Sequence, residues 1–161
     1  MRRLSLVSLA VLVCDLISKA IVLRSLAPRE GAIRVLGDHV RLIYVRNAGS
    51  AFSLFHGGRI FFIAFSVVSI LLILAIARSP RGRTPAYALA LGLVLGGALG
   101  NLVDRIAYGS VIDWIDIGVG SHRWPTFNVA DIGVSVGVCL LAILLLRSKD
   151  DREAAPDGGA P

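Results

Sequence analysis

Apolar residues run through this chain in blocks too long for the core of a small soluble domain. Four stretches, at about 4–24, 60–77, 85–103 and 128–146, are almost wholly apolar. Each approaches the roughly 20 residues that a helix needs to cross a bilayer. In lipid every backbone polar group must be paired within its own segment, so the expected element for each is a helix. The second and third stretches carry no charge; the first is interrupted by Asp15 and Lys19, and the fourth has Asp131 in its first turn. Gly92, Gly96 and Gly100 recur every four residues, as do Gly133 and Gly137, which puts small residues on one helix face and predicts close packing against a neighbour.

The connecting segments, about 25–59 and 104–127, differ in character from the spans. Ala32–Leu36 and Val40–Val45 are rich in β-branched and aliphatic residues, with Gly37-Asp38 between them. That pattern predicts a small β-hairpin resting on the membrane surface. The residues from 147 to 161 include Pro156, Gly158, Gly159 and Pro161 and read as a flexible tail.

Composition agrees with lipid as the solvent. Hydrophobic residues make up 55% of the 161 residues and charged residues only 17%, against about 25% charged in ordinary soluble domains. The net charge of +6 is spread over loops, tails and helix ends. Attraction to anionic headgroups accounts for it more simply than nucleic acid, and no nucleic-acid partner is expected. An even number of spans puts both termini on one side. Arginine and lysine counts on the two sides tie, but Arg2-Arg3 before the first span and the short basic loop 78–84 favour cytoplasmic termini. Met-Arg-Arg before an apolar run resembles a secretory leader, yet Val11-Leu12-Val13 before Cys14 lacks small cleavage-site residues, so the segment is expected to stay as a membrane helix. Cys14 and Cys139 lie within apolar runs and predict no disulfide.

Ionised groups at membrane depth are costly, about 2.5–3.5 kcal/mol at a helix centre, so each asks for a reason. Asp15 and Lys19, four apart, can pair on one face; the pair either fixes helix packing or braces a nearby site. Asn47-Ala48-Gly49-Ser50-Ala51-Phe52 is either a plain turn or an exposed backbone that meets an extended peptide. Asn101, Asp104 and Arg105 cluster where the third span ends, and Asp113 sits among Val111, Ile112, Trp114 and Ile115, residues suited to the membrane interface. Asn128 is a good helix N-cap, and Asp131 follows in the first turn. Asp113 and Asp131 would form a proton-sharing pair if they met; capping or plain solvation is the other reading. No H-E-x-x-H, nucleophile elbow or phosphate-binding glycine loop is present. A transporter, with Asp15 and Lys19 as relay groups, and a structural scaffold remain open from the residues alone.

Five segments, in order, resemble the lipoprotein signal peptidases, signal peptidase II. Asp15-Leu16-Ile17-Ser18-Lys19 is similar to that family's D-x-x-[ST]-K, and Asn47–Phe52 to N-x-G-x-A-F. Gly96-Gly97-Ala98-Leu99-Gly100-Asn101-Leu102-Val103-Asp104-Arg105 is similar to G-G-A-x-G-N-x-x-D-R, followed by Gly109, Val111 and Asp113 as G-x-V-x-D. Phe127-Asn128-Val129-Ala130-Asp131 is similar to F-N-x-A-D. The departures are small: Trp114 stands where phenylalanine is common, and Ser18 where threonine is common.

The resemblance implies an all-α polytopic membrane protein, with four transmembrane helices and a small periplasmic β-hairpin or cradle in the first extramembrane loop, as one domain over residues 1–146. It implies an aspartic endopeptidase of the bacterial inner membrane, with cytoplasmic termini and an active site near the periplasmic face. Such an enzyme cleaves prolipoproteins before a diacylglyceryl-modified cysteine. Asp113 and Asp131 would be catalytic. Asp15, Lys19, Asn47, Gly49, Ala51, Asn101, Asp104, Arg105, Asn128 and Ala130 would bind substrate or support the site. Neither metal nor organic cofactor is implied. The expected partners are lipid-modified prolipoproteins, membrane lipids and globomycin-type cyclic peptide inhibitors, with the chain as a monomer.

Overall fold

A computed structural model describes residues 1–29, 31–49 and 58–153, and side chains as far as residue 147. The helices are α1 (Arg2–Ser25), α2 (Gly58–Arg78), α3 (Pro85–Tyr108) and α4 (Val129–Glu153). All four are long and apolar enough to cross a membrane. Their outward faces are apolar too: Leu6, Leu9, Ile17, Phe65, Leu71 and Val138 lie uncovered by protein, as lipid-facing side chains do.

The third helix is the hub, packing against α1, α2 and α4. Of its apolar window 44% is buried within the protein, against 17–22% for the other three. Glycines account for the close approach. A Cβ at Gly92 would stand 2.8 Å from Val7 Cβ, and one at Gly96 would stand 2.6 Å from the Ser8 carbonyl oxygen, so this stripe seats α1. On the other flank a Cβ at Gly137 would lie 2.6 Å from Val94, which sets α4 against α3.

The strands are β1 (Ile33–Leu36), β2 (Val40–Asn47), β3 (Val111–Val119) and β4 (His122–Arg123). They form an antiparallel sheet in the order β1-β2-β3-β4. The predicted hairpin is β1–β2. The segment 104–127, expected as a loop, instead carries α3 on to Tyr108 and then adds β3 and β4 to the sheet. Val111–Val119 alternates less cleanly than a half-exposed strand because its first three residues are all buried, which hides the period of two. Gly109, at φ +73°, caps α3 in the left-handed region by donating its N–H to the Arg105 carbonyl, and so turns the chain from helix into strand.

The sheet lies over one end of the bundle. Val22 of α1 and Leu26, the residue that caps it, pack with Ile112 beneath it, joined by Leu42, Tyr44 and Trp114. The segment before α4 is tied to β3: Trp114 and Ile115 donate their N–H groups to the Phe127 carbonyl at 3.1 and 2.8 Å. The fourth helix does not stop at Leu146 but runs to Glu153, because Lys149, Arg152 and Glu153 are sound helix formers and no proline occurs before Pro156.

Candidate active site

Five elements, α1, β2, α3, β3 and the start of α4, bring the polar residues of the spans and sheet to one end of the bundle. Asp113 lies on β3 opposite Val45 of β2 and is 2% exposed. Its Oδ2 accepts a hydrogen bond from Asn47 Nδ2 at 2.9 Å, and its Oδ1 accepts one from Asn128 Nδ2 at 2.7 Å. Burial pushes the Asp113 carboxyl up to about 6; the Asn47 and Asn128 hydrogen bonds oppose that rise, and the charge of Asp131 reinforces it.

Asn128 and Asp131 form a reciprocal cap at the start of α4. The Asp131 N–H donates to Asn128 Oδ1 at 3.0 Å, and the Asn128 N–H donates to Asp131 Oδ2 at 3.2 Å. The other Asp131 oxygen accepts Asn101 Nδ2 at 2.8 Å. Asn128 Nδ2 also reaches Asn101 Oδ1 at 3.2 Å. A continuous chain therefore runs Asp113–Asn128–Asn101–Asp131, with two amides bridging two carboxylates drawn from different segments. Asn128 is fully buried, whereas Asp131 is half-buried and open to the cavity beside it.

Behind this chain lies a buried ion cluster. Lys19 Nζ sits 2.7 Å from Asp15 Oδ2, 2.8 Å from Asp104 Oδ2 and 3.3 Å from Asn101 Oδ1, which occupies the three donors of an ammonium. Each acid also holds a backbone amide: Asp15 Oδ1 accepts the Ala130 N–H at 2.9 Å, and Asp104 Oδ2 accepts the Ile112 N–H at 3.0 Å. Lys19 thereby links α1 and α3 to the first turn of α4 and to the strand that carries Asp113. Enclosed on all sides, the Asp15–Lys19 pair is a brace, and this geometry does not favour a relay through the bundle.

Arg105 donates to the Asn101 carbonyl oxygen at 3.2 Å, and its guanidinium carbon lies 5.3 Å from the Phe62 ring centre. A cavity of about 400 Å³ opens here between α2, α3 and α4, lined by Asn101, Arg105 and Asp131 together with Phe62, Phe65 and Ser66. A second, of about 330 Å³, lies on the other flank of Asp131 against Trp124, Phe127, Ile132 and Val136. Gly49, at φ +86°, donates its N–H to Asn47 Oδ1 and so fixes the amide that serves Asp113. Ala51 lies outside the described residues.

Sequence reasoning passed over one cluster. Asp116, three residues after Asp113, is 2% exposed and meets two guanidinium groups. Arg41 of β2 approaches within 2.6 Å, and Arg123 of β4 within 2.9 Å. Arg123 also donates to the Asp38 carbonyl in the β1–β2 turn at 2.5 Å. Burial raises the Asp116 carboxyl, but the Arg123 and Arg41 hydrogen bonds and charges outweigh it and hold the group below the usual carboxylate range. The alternation Asp113-Trp114-Ile115-Asp116 gave no sign of these partners, which come from two other strands.

Fold and site together define a multi-pass membrane protein whose buried acids and amides converge at one end of a four-helix bundle. Comparison with known proteins makes the class particular. Residues 7–147 match the family model described as signal peptidase (SPase) II, and the chain belongs to that family of peptidases. It is 46% identical to the lipoprotein signal peptidase of Syntrophomonas wolfei, over 91% of this chain and 95% of that one. It is 39% identical to that of Geobacter metallireducens, over 97% and 96%, and 40% identical to that of Symbiobacterium thermophilum, over 86% and 91%. A solved bacterial membrane enzyme superposes with a TM-score of 0.80 at 26% identity, over 88% of this chain and 90% of that chain. Another, at 24% identity, shares the fold with a TM-score of 0.81, over 97% and 93%.

Proposed function

We propose that the chain is an aspartic endopeptidase that removes the signal peptide from bacterial prolipoproteins, cleaving on the N-terminal side of the diacylglyceryl-modified cysteine. Family membership and the names of its relatives support the substrate class. The observation that carries the chemistry is the bridging of Asp113 and Asp131 by Asn128 and Asn101 beside an open cavity.

In the proposed reaction one water lies between the two carboxyl groups. Asp131 acts as general base and takes a proton from that water. The water oxygen bonds to the scissile carbonyl carbon. Asp113, whose raised pKa favours the protonated form, donates a hydrogen bond to the developing oxyanion. The C–N bond then breaks as a proton passes to the leaving nitrogen. The signal peptide departs with a new carboxylate, and the lipidated cysteine keeps the new amine. Asn47, Asn101 and Asn128 aim the carboxylates, while Asp15, Lys19 and Asp104 hold the elements that bear them. Arg105, Gly49, Ala51 and Ala130 complete the set that positions substrate or site. Because the two cavities flanking Asp131 are largely apolar, they suit hydrocarbon and hydrophobic side chains, and globomycin-type cyclic peptides would compete for the same space. The chain acts as a monomer in the inner membrane, with both termini in the cytoplasm and the site at the periplasmic face.

The test is cleavage of a synthetic precursor peptide that carries a diacylglyceryl cysteine, by the purified chain in micelles. Mass spectrometry should find a product beginning at the lipidated cysteine. Cleavage at any other bond, or no cleavage by protein shown to be folded, would refute the proposal.

A further inference from the structure

The end of the bundle remote from the active site holds the start of α1, the end of α2, the start of α3 and the extension of α4. Its basic residues are Arg2, Arg3, Arg78, Arg81, Arg83 and Arg147, then Lys149 and Arg152; the acids of α4 at this end, Asp150, Asp151 and Glu153, follow residue 149. Among the described residues, Arg2, Arg3, Arg81 and Arg83 are exposed and form no ion pair. Between α1 and α3 at this end lies a groove of about 460 Å³, floored by Leu6, Val7, Ala86 and Leu89, with Arg3 at its rim.

Two features make this groove a preformed site. Its walls are helices in close contact: at Gly92, just below the groove, an added Cβ would stand 2.9 Å from the Leu4 carbonyl oxygen. Its floor also begins one turn below Arg3, and one turn is about 5 Å, the step from a headgroup phosphate to the first methylenes of an acyl chain. We propose that the groove binds one anionic phospholipid, with its phosphate on Arg3 and an acyl chain against Leu6, Val7 and Leu89. A zwitterionic lipid would fill the apolar floor equally well but would bring its own cation towards Arg3. A soluble anion would find the charge and leave the floor empty. Such a lipid would bridge α1 to α3 at the end opposite Lys19, whichever reaction the chain performs.

Native mass spectrometry of the full chain, released from micelles doped equally with phosphatidylglycerol and phosphatidylcholine of matched chains, tests the site. One phosphatidylglycerol should be retained in preference. Arg3→Gln should lower that retention about fivefold, the effect of one basic side chain at a lipid surface. Leu89→Trp, which fills the floor, should lower retention of both lipids, whereas Arg147→Gln, at the same end but outside the groove, should leave it unchanged. Peptidase activity should be preserved in all three variants and reports that they are folded. Equal retention of the two lipids would overturn the proposal. So would an equal loss from Arg147→Gln, which means diffuse attraction, or a matching adduct formed with inorganic phosphate alone.

Discussion

Asp113 and Asp131 carry the same side chain in different surroundings. One is enclosed on a strand between two amide donors; the other is half-open at a helix start, where it closes a reciprocal cap with Asn128. Burial holds Asp113 nearer its protonated form, which suits the hydrogen-bond donor of the proposed reaction. With Asp113 raised to about 6, the proton it contributes is held below that pH and lost above it. The proposed reaction needs that proton, so kcat/KM for a lipopeptide should fall as pH rises through about 6, and a kcat/KM–pH profile checks it. A profile rising through the same region would show that the ionised form of Asp113 is the active one. The identities of these residues were legible because D-x-x-[ST]-K, G-N-x-x-D-R and F-N-x-A-D are dense, ordered motifs. Their partnerships were not. Nothing in the spacing of Asn47 and Asp113, 66 residues apart, announces that one amide serves the other carboxylate.

At the scale of elements, the spans were legible because lipid imposes a crude requirement, length and apolarity, that local sequence meets by itself. The sheet was only half legible. The β1–β2 hairpin is local, with Gly37 in its turn, whereas β3 pairs with β2 across the intervening α2 and α3, and its buried first residues mask the strand period. The Asp116 cluster shows what that long-range pairing costs and gains. Arg41 and Arg123 share one buried carboxylate, which joins three strands and fixes the strand bearing Asp113. Asp116→Asn should destabilise the protein by about 1–3 kcal/mol, the penalty for leaving buried charged donors short of an acceptor. Because the folded-state pKa of Asp116 is depressed, its stabilisation is present above the ordinary carboxylate value of 3.8 and fades as pH falls through the folded value. The gap in melting temperature between parent and variant should therefore be steady from about pH 5 to about pH 8 and shrink in stronger acid.

Taken whole, the molecule is a bundle that places costly groups at one end and cheap ones everywhere else. Apolar side chains clothe α1, α2 and α4, glycines let α3 sit at the centre, and the buried charges gather where the sheet closes over them. No single element contains the site: Asn47 comes from β2, Asp113 from β3, Asn101 from α3, and Asn128 and Asp131 from the start of α4. The brace through Lys19 explains why Asp15, which touches neither proposed catalytic group among its hydrogen bonds and ion pairs, belongs to the same motif set: it holds the Ala130 amide in the turn that presents Asp131. The central claim is that two carboxylates act together on one water, and the direct measurement is the turnover of Asp113→Asn and Asp131→Asn on a fluorogenic lipopeptide in micelles. Both variants should keep the parent's folded state and bind uncleaved substrate, while kcat falls by a factor of about 100 to 10,000, the range for losing a positioned acid or base. A folded variant of either residue that keeps parental kcat would contradict the account.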